Sequence, residues 1–482
     1  MNAPILRLFA LFLVLFAALA GMTSYNSVIN ADQYRDNALN KRPQIEQALV
    51  KRGRILARDG SLLARSVRDA KGDVYRRRYS PEALRFSHVI GYDYGLTIGR
   101  AGLEKSRNDA LAGVDDNELT SIVDDLSGKR TVGENVITNL DPQAQQVALQ
   151  ALNGRRGSVV AIEPATGKVR VMASTPGFDP NSLADAKTFS RLSQEGTSPL
   201  FNRATQAGYA PGSTMKVVTA AAALDSGEFT PESTVSGKSP IIISGVPLKN
   251  FSDEQFGQIT LTTALTHSVN TVWAPVAVKL GHDTMADYMK RFGFGTDPPM
   301  DYPDAQMFAS GVFDVKTQKL IPTESDRVDI GRVGIGQERL RVTPLQMATV
   351  AATVANGGVR MKPHITDRIV DEDGRTVNRI EPEEAQRVMS AQSAEQLTEM
   401  MSQVVKEGTG TAAALQGIEV AGKTGTAELN IAQGLNQPWF IGFAPRNDPK
   451  IAVAVTLENI VGGQGGVVAA PIAKVVMESL LR

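Results

Sequence analysis

The stretch APGSTMKVVTAAAAL, residues 210–224, joins a short polar motif to an apolar, alanine-rich run that is typical of a buried helix. A Pro-Gly pair marks the start of this helix, and a Ser-Gly pair shortly after Leu224 marks its end. Residues three apart lie on one helix face, so Ser213 and Lys216 are predicted to project together from the helix N-terminus. A serine hydroxyl becomes a nucleophile when a base lies beside it, and a lysine with a lowered pKa can be that base. The stretch therefore predicts a catalytic serine–lysine pair.

Two further motifs follow along the chain. Ser268-Val269-Asn270 precedes a second apolar run, and Lys423-Thr424-Gly425 lies nearer the C-terminus. A Ser-x-x-Lys motif alone is weak evidence, because most such matches lie on solvated helix faces. The three motifs together, in this order, are typical of serine β-lactamases and penicillin-binding proteins.

Each of the two later motifs also has a purely structural interpretation. The residues around Lys423 are typical of a strand, and strand-like runs follow at 439–443 and 451–457. A lysine on an exposed edge strand can serve only to prevent edge-to-edge aggregation. Ser268 and Asn270 are residue types that suit a helix N-cap. These alternatives carry less weight once all three motifs are considered together.

The chain resembles a class B penicillin-binding protein, a peptidoglycan D,D-transpeptidase, and looks most like the actinobacterial penicillin-binding protein A type. The resemblance covers essentially the whole chain outside the N-terminus. Besides the three motifs, the segments that carry it are Arg52-Gly53-Arg54-Ile55 with Asp59-Gly60, Gly99 to Glu104, the hairpin Gly157 to Ser174, Asn202-Arg203-Ala204, Gly334-Ile335-Gly336-Gln337 with Thr343-Pro344-Leu345-Gln346, and Trp439-Phe440-Ile441-Gly442.

The motifs and the resemblance together imply a role for each residue in a two-step acyl transfer. Ser213 is the nucleophile that becomes acylated, and Lys216 is the base that activates it. Ser268 relays a proton between Lys216 and the leaving amine. Asn270 donates hydrogen bonds to Lys216 and to the substrate amide. Lys423 supplies positive charge that also helps to lower the pKa of Lys216.

The resemblance also implies how the substrate is held around Gly425, a glycine predicted to let another backbone approach closely. The hydroxyls of Thr424 and Thr426 bind the substrate carboxylate. The backbone N–H groups of Ser213 and Thr426 form the oxyanion hole, where each donor typically contributes about 3–4 kcal/mol. The expected substrate is a peptidoglycan stem peptide ending in D-Ala-D-Ala. β-Lactams are expected to acylate Ser213, and neither a metal nor an organic cofactor is expected.

Several related functions share these motifs. A D,D-carboxypeptidase differs only in that water, not an amine, takes the acyl group. A β-lactamase needs a deacylation base, and neither Glu324 nor Glu338 has the surrounding pattern of the class A glutamate. A membrane β-lactam sensor and a catalytically silent scaffold are the remaining alternatives. The missing glutamate pattern disfavours the β-lactamase, and the intact motifs disfavour a silent scaffold. The choice between transpeptidase and carboxypeptidase stays open, because water and an amine compete for the same acyl-enzyme.

The amino-acid composition argues against several other kinds of site and partner. The formal net charge is +0, so no nucleic-acid partner is expected, and the basic run Arg76-Arg77-Arg78 is interpreted as a solvated face. There are no cysteines, which excludes disulfides and thiolate chemistry. The four histidines show no metal-ligand spacing.

The N-terminus contains a largely apolar segment from Ile5 to Tyr25 whose only charged residue is Arg7. Its length suits a membrane-spanning helix if Arg7 extends its charged end towards the interface. A cleaved signal peptide with Ala18-Leu19-Ala20 as its processing site is the alternative. The resemblance favours an uncleaved, single-pass anchor in the cell membrane. The N-terminus would then be cytoplasmic and the rest of the chain extracytoplasmic.

The predicted fold class is α+β. The expected organisation is a cytoplasmic stub and transmembrane anchor at 1–26, a mixed non-catalytic domain at 27–140, and a transpeptidase domain at 141–482. The last domain is predicted to begin with a helix capped by Asp141 and to end with an amphipathic helix at 471–481. Its antiparallel sheet should pair its first and last strands beneath covering helices.

The region at 27–140 is too short for a glycosyltransferase domain and shows no acidic motif resembling one. Cross-linking nevertheless requires glycan strands to be made nearby. By resemblance, the expected partner is a membrane glycosyltransferase of the shape, elongation, division and sporulation family.

Overall fold

The computed structural model describes residues 3–30, 49–69, 74–95, 97–114, 132–430 and 432–482. The predicted polar region between the anchor and the catalytic domain therefore lies partly outside the described residues. Its described part has short helices and strands separated by turns at glycines.

Twenty-two strands alternate with helices along the described chain. The strands are β1 Ile55–Leu56, β2 Leu62–Arg68, β3 Tyr75–Tyr79, β4 Tyr92–Tyr94, β5 Gly99–Ala101, β6 Asn135–Thr138, β7 Gly157–Ile162, β8 Val169–Thr175, β9 Thr234–Ser236, β10 Ile241–Ile243, β11 Val246–Leu248, β12 Gln258–Thr260, β13 Gly311–Val312, β14 Leu340–Arg341, β15 Val359–Met361, β16 Thr366–Val370, β17 Thr376–Arg379, β18 Glu384–Arg387, β19 Ala421–Asn430, β20 Leu435–Ala444, β21 Ile451–Leu457 and β22 Ile460–Val461. The α-helices are α1 Ala3–Ser24, α2 Ser87–Ile90, α3 Leu103–Ser106, α4 Asn108–Ala112, α5 Pro142–Leu152, α6 Ala186–Gln194, α7 Lys216–Asp225, α8 Leu261–Thr266, α9 Asn270–Arg291, α10 Ile330–Gly334, α11 Pro344–Ala355, α12 Ala391–Lys406 and α13 Ala470–Leu481.

Helix α1 is apolar, and its side chains are exposed. Together with the turn that follows, it forms a continuous helical span over Ala3–Ser27, long and apolar enough to cross a membrane. A signal sequence has the same properties. The span is thus consistent with a membrane anchor.

The catalytic sheet is antiparallel, with the strand order β19-β20-β21-β7-β8. Strand β21 pairs with β7 along its length, from Leu457 opposite Gly157 to Ala452 opposite Ile162. The first strand therefore pairs with the last long strand, as predicted, while the short final strand β22 pairs with β20 and completes a six-stranded sheet. Strand β19, which carries the Lys-Thr-Gly motif, lies at the edge of this sheet.

Helices cover both faces of the catalytic sheet. On one face, α5 and α13 pack against β21 and β8 through a dedicated apolar cluster. On the other face, α11, α12 and α7 contribute to the main hydrophobic core. Every residue of the central strand β21 is buried, as expected for a strand with both faces covered. The predicted helix capped by Asp141 is also confirmed, because the Asp141 side chain accepts the N–H of Ala144 at the start of α5.

A second six-stranded sheet lies in the N-terminal part, with the order β17-β16-β6-β1-β2-β3. Two of its strands, β16 and β17, come from a hairpin that follows α11 in the chain. Thr366 at the start of β16 pairs with Thr138 of β6. The Asp301 carboxylate adds a second link, since it accepts the backbone N–H groups of Ile365 and Thr366 and a hydrogen bond from Arg107. The N-terminal sheet is thus completed by residues from the later part of the chain.

A buried cluster of charged side chains lies in the N-terminal part; this guanidinium–carboxylate cluster consists of Arg52, Arg77, Asp93 and Glu104. Glu104 is fully buried, 2.5 Å from Arg77 Nε and 3.1 Å from Arg52 Nη2. Arg52 also pairs with Asp93 at 2.9 Å. The interpretation of Arg76-Arg77-Arg78 as a solvated face is wrong for its central residue. Alternate side chains of a strand point to opposite faces, and β3 directs Arg77 inwards.

Candidate active site

The predicted nucleophile lies on a tight turn that leads into α7. Residues Gly212–Met215 form a single turn of 3₁₀ helix, and Ser213 is partly exposed while Thr214, Met215 and Lys216 are buried. Gly212 has a φ of +53°, and a Cβ atom there would lie 2.9 Å from the carbonyl of Thr426. The turn therefore requires glycine, and it opens the Ser213 hydroxyl to the cleft. Among the described residues, this hydroxyl has no hydrogen-bond partner.

Lys216 lies one helical turn beyond the nucleophile and is 0 % exposed. Its Nζ lies 2.7 Å from the carbonyl oxygen of Ser268, 3.2 Å from the Ser268 hydroxyl and 2.7 Å from Oδ1 of Asn270. All three acceptors are uncharged. Burial, together with the positive charge of Lys423, places the pKa of Lys216 well below its usual value. The amine is therefore poised to act as a base.

The Ser268-Asn270 segment connects α8 to α9. Ser268 has a φ of +59°, a left-handed conformation that costs a non-glycine residue about 1–2 kcal/mol and that occurs preferentially at functional sites. This conformation turns both the carbonyl and the hydroxyl of Ser268 towards Lys216.

One alternative and one expectation for this segment are wrong. Helix α9 has Val269 at its N-cap position and no side-chain cap, so neither Ser268 nor Asn270 acts as the N-cap. Asn270 also accepts a hydrogen bond from Lys216 and does not donate one to it, because its Oδ1 faces the amine. Its Nδ2 donates to the carbonyl of Lys249 on the neighbouring loop.

Lys423 lies on edge strand β19 and is nonetheless 0 % exposed. The elements packed against β19, which include α12 and the nucleophile turn, cover its side chain. Its Nζ donates to the carbonyl of Thr424 at 3.0 Å, and burial lowers its pKa to about 7. The interpretation of Lys423 as an exposed edge lysine is therefore wrong.

Strand β19 is in backbone contact with the nucleophile turn. A Cβ atom on Gly425 would lie 2.8 Å from the carbonyl oxygen of Pro211 and 3.0 Å from the Thr214 side chain. The predicted close approach at this glycine is thus confirmed. It brings together the two segments, around Ser213 and Thr426, whose N–H groups are the predicted oxyanion donors.

The two threonines of the motif have different neighbours. Thr424 is buried, and its Oγ1 lies 2.6 Å from Oγ1 of Thr409. Thr426 is partly exposed, and its hydroxyl accepts the N–H of Gly465 at 3.2 Å. The structure thus brings the predicted residues Ser213, Lys216, Ser268, Asn270, Lys423, Thr424, Gly425 and Thr426 to the same cleft.

Thr409 is a residue of this site that the sequence motifs did not indicate. It lies in the loop after α12, between two glycines, and its N–H donates to the carbonyl of Thr266, two residues before Ser268. Thr409 thus links the Ser-x-Asn segment to Thr424 on β19. A lone threonine in a Gly-Thr-Gly loop carries no spacing signal that could have identified it.

Comparison with known proteins matches both parts of the chain. Residues 157–478 match the family model described as the penicillin binding protein transpeptidase domain. Residues 52–136 match the penicillin binding protein A dimerisation domain.

Two curated relatives align over the whole chain, and a third aligns over most of it. The peptidoglycan D,D-transpeptidase PbpA of Mycolicibacterium smegmatis is 35% identical over 100% of this chain and 99% of its own length. PbpA of Mycobacterium tuberculosis is 33% identical with the same coverage. MrdA of Acinetobacter baumannii, also a peptidoglycan D,D-transpeptidase, is 32% identical over 83% of this chain and 65% of its own length.

Solved structures agree with these relatives. Penicillin-binding protein A from M. tuberculosis, as a ceftriaxone acyl-enzyme complex, superposes with a TM-score of 0.81 at 31% identity. This match covers 91% of this chain and 100% of that one. Its penicillin G acyl-enzyme complex superposes with a TM-score of 0.78 at 32% identity, covering 90% of this chain and 100% of that one.

Proposed function

The chain belongs to the penicillin-binding protein transpeptidase family, and we propose that Ser213 is the residue that carries the acyl group. The chain is a serine-type peptidoglycan D,D-transpeptidase and a β-lactam target, as its full-length relatives and their acyl-enzyme structures indicate. The observation that supports Ser213 is its position. It is the partly exposed hydroxyl one helical turn from a buried lysine whose amine has only neutral partners.

In the first step, the Ser213 oxygen attacks the carbonyl of the penultimate D-Ala and its proton passes to the neutral amine of Lys216. A protonated lysine has three N–H donors, which match the three acceptors around Nζ. A neutral amine has two N–H groups and one lone pair, so one of these contacts has to change. The neutral amine gives up the longest contact, to the Ser268 hydroxyl, so that its lone pair can take the Ser213 proton. Once Lys216 is protonated it donates to this hydroxyl again, which makes Ser268 the proton relay.

Collapse of the tetrahedral intermediate breaks the peptide bond to the terminal D-Ala. Its nitrogen takes the proton from Lys216 through Ser268 and leaves as an amine. The backbone N–H groups of Ser213 and Thr426 stabilise the oxyanion, each by about 3–4 kcal/mol. In the second step, an amine from a neighbouring stem peptide attacks the Ser213 ester, gives up a proton along the same path, and forms the cross-link.

The wall formed by β19 holds the substrate carboxylate. Thr424 and Thr426 supply hydroxyl donors, and Lys423 supplies a positive charge when it is protonated. Since burial lowers the pKa of Lys423 to about 7, an approaching carboxylate favours its charged form. The same charge, added to burial, favours the neutral form of Lys216. The two lysines can therefore perform different tasks at one pH.

The domain organisation proposed from the sequence has 1–26 as stub and anchor, 27–140 as the non-catalytic domain and 141–482 as the transpeptidase domain. The family matches at 52–136 and 157–478 support these units. The hairpin β16–β17 joins the sheet of the preceding unit, which links the two units across their boundary.

The anchor is proposed to keep the N-terminus in the cytoplasm and the catalytic domain outside, where peptidoglycan is cross-linked. The proposed partner is a membrane glycosyltransferase of the shape, elongation, division and sporulation family, bound through the anchor and the region 30–136. Replacing both with unrelated segments should abolish co-purification from membranes. Normal binding and cross-linking by the replaced protein would locate the contact on the catalytic domain instead.

The nucleophile is tested by labelling with a fluorescent penicillin, followed by peptide mapping by mass spectrometry. Ser213→Ala should abolish covalent labelling. Ser226→Ala, at the other end of α7, is the matched control and should label like the parent. Drug found on any other residue of the parent protein would refute the assignment of Ser213.

A further inference from the structure

The N-terminus of α9 is held by a side chain from a different segment, the 249–257 loop between β11 and β12. The first N–H groups of a helix have no partners within it, and Val269 at the N-cap position of α9 provides no side-chain acceptor. Asn250 supplies one. Its Oδ1 accepts the N–H of Thr271 at 3.0 Å and the hydroxyl hydrogen of Thr271 at 3.1 Å. Asn250 therefore caps α9 from 21 residues away in the sequence.

The remaining hydrogen bonds of Asn250 fix it within its own loop. Its Nδ2 donates to the carbonyl of Gly237 at 3.2 Å and to that of Glu254 at 3.0 Å, and its backbone N–H donates to the Ser239 hydroxyl. The residue is buried. An asparagine side chain offers two acceptor lone pairs and two N–H donors, and all four are used here. The position therefore requires both ends of an amide.

The residue before Asn250 contacts the catalytic segment directly. The carbonyl oxygen of Lys249 accepts a hydrogen bond from Nδ2 of Asn270 at 3.1 Å. A backbone carbonyl can only accept, so this contact requires the NH₂ group of the Asn270 amide to face Lys249 and its oxygen to face Lys216. The 249–257 loop thus decides which end of the amide the lysine amine meets.

The orientation of this amide determines where the lone pair of Lys216 points. The two shortest contacts of the amine are to Oδ1 of Asn270 and to the carbonyl of Ser268, both at 2.7 Å, and both oxygens only accept. They take the two N–H groups of the neutral amine and leave its lone pair for a hydroxyl. If the amide turned over, its NH₂ group would donate to that lone pair, and the amine could no longer take the Ser213 proton.

The backbone beside these contacts is strained. Ser252 has a φ of +51° and Asp253 a φ of +57°, a left-handed conformation that is unfavourable for non-glycine residues and occurs preferentially at functional sites. The N–H of Asp253 donates to the carbonyl of Asn250, and its carboxylate pairs with Lys249 at 3.0 Å. The strained turn therefore folds back onto the two residues that contact α9.

We propose that Asn250 is a positioning residue for acylation: it holds the N-terminus of α9 and places the Lys249 carbonyl that orients the Asn270 amide. In the described part of the chain, its own hydrogen bonds reach neither Lys216 nor Ser213. It acts through Asn270, whose orientation keeps the lone pair of Lys216 available. This inference rests on the proposed function, since it uses Lys216 as the base.

The test compares two substitutions of Asn250 that remove different hydrogen bonds. Asn250→Asp keeps both acceptor contacts with α9 and loses the two donor contacts with its own loop, and a carboxylate is favourable at a helix N-terminus. Asn250→Leu has a similar volume and loses all four contacts. The second-order rate of acylation by a fluorescent penicillin is measured at the pH where each variant is fastest. It should fall about 10- to 100-fold in Asn250→Leu and stay within about 3-fold of the parent in Asn250→Asp.

Gln255→Ala is the matched control, because the Gln255 side chain fixes the same loop to Ser239 and not to α9; it should acylate at the parent rate. Labelling to completion counts the folded fraction of each variant, and thermal unfolding ranks their stabilities. Equal losses of rate in Asn250→Asp and Asn250→Leu would show that Asn250 only stabilises its loop and would overturn the proposal. A parent-like rate in Asn250→Leu would overturn it as well.

If either variant of Asn250 fails to fold, Thr271→Val and Thr271→Ser decide the question. Valine removes one of the two hydrogens donated to Oδ1 of Asn250 and keeps the shape of the side chain, whereas serine keeps the hydroxyl. The valine variant should acylate about 3- to 10-fold more slowly than the serine variant, and equal rates would refute the role of Asn250. A parent protein that no penicillin labels would instead contradict the proposed function.

Discussion

Two of the groups of buried charged side chains in the described part of the chain are built on opposite principles. The guanidinium–carboxylate cluster around Glu104 combines charges of both signs. The two lysines of the active site, Lys216 and Lys423, have like charges and only neutral acceptors among their hydrogen bonds. Burial alone disfavours a charged group in either place.

The charged groups next to each buried side chain decide whether its pKa rises or falls. Burial lowers the pKa of Arg52, but the attraction of Glu104 and Asp93 outweighs this, and the pKa is raised. Burial lowers the pKa of Lys216, and the charge of Lys423 lowers it further. The first cluster therefore favours the charged forms of its groups, while the second favours the neutral form of the Lys216 amine. Substitutions should separate these effects into stability for one and activity for the other.

Lys216→Met should have the largest effect on activity. It removes the base and should lower the second-order rate of acylation by penicillin about 10³- to 10⁴-fold. Because the amine is costly to bury, the variant should unfold at the same or a higher temperature. Stopped-flow acylation and thermal unfolding measure the two properties. Lys450→Met, at a lysine that is 60% exposed, should change neither.

Glu104→Gln should have the opposite effect, lowering stability and leaving the activity of the folded protein unchanged. It leaves Arg52 and Arg77 buried with reduced compensation and should lower the free energy of unfolding by about 3–5 kcal/mol. Glu372→Gln, which breaks an exposed pair with Lys51, should cost less than about 1 kcal/mol. Denaturant unfolding measures both, and penicillin labelling counts the folded fraction. A stable Glu104→Gln protein that fails to acylate would contradict the division between the two clusters.

The positions of these two clusters, and the fold that creates them, were only partly predictable from the sequence. The proximity of Ser213 and Lys216 was predictable because a helix fixes the positions of residues three apart. The β7–β8 hairpin was predictable because its turn lies within a short segment of sequence. The pairing of β16 with β6 was not, because strand pairing across more than 200 residues leaves no local pattern. The burial of Arg77 depends likewise on Glu104, which belongs to a different element.

Lys423→Met tests, through the pH dependence of acylation, whether the two active-site lysines interact. Removing the neighbouring positive charge raises the pKa of Lys216, so a smaller fraction of the amine is neutral at a given pH. The acid limb of the acylation profile should therefore move to higher pH. The loss of the contact with the ligand carboxylate should also lower the rate at pH 7 by about 10- to 100-fold. An acid limb at the same pH as in the parent would show that the two lysines do not interact.

Thr409→Val should have the smallest effect, because it removes one neutral hydrogen bond while keeping the shape of the side chain. The Oγ1 atoms of Thr409 and Thr424 are 2.6 Å apart. If Thr409 donates to Thr424, the hydroxyl hydrogen of Thr424 is free to bind the substrate carboxylate. Its loss should raise KM for a D-Ala-D-Ala peptide by about 5- to 10-fold with little change in kcat.

Thr409→Ser is the matched control for this prediction, since it keeps the hydroxyl and should retain a KM close to that of the parent. The backbone contact of Thr409 with Thr266 is the same in both variants, so a purely structural role of the loop would affect them equally. Equal KM values in the two variants would therefore show that Thr409 only shapes the loop. A rise in KM confined to the valine variant would make Thr409 a positioning residue, one that orients Thr424 without touching the substrate.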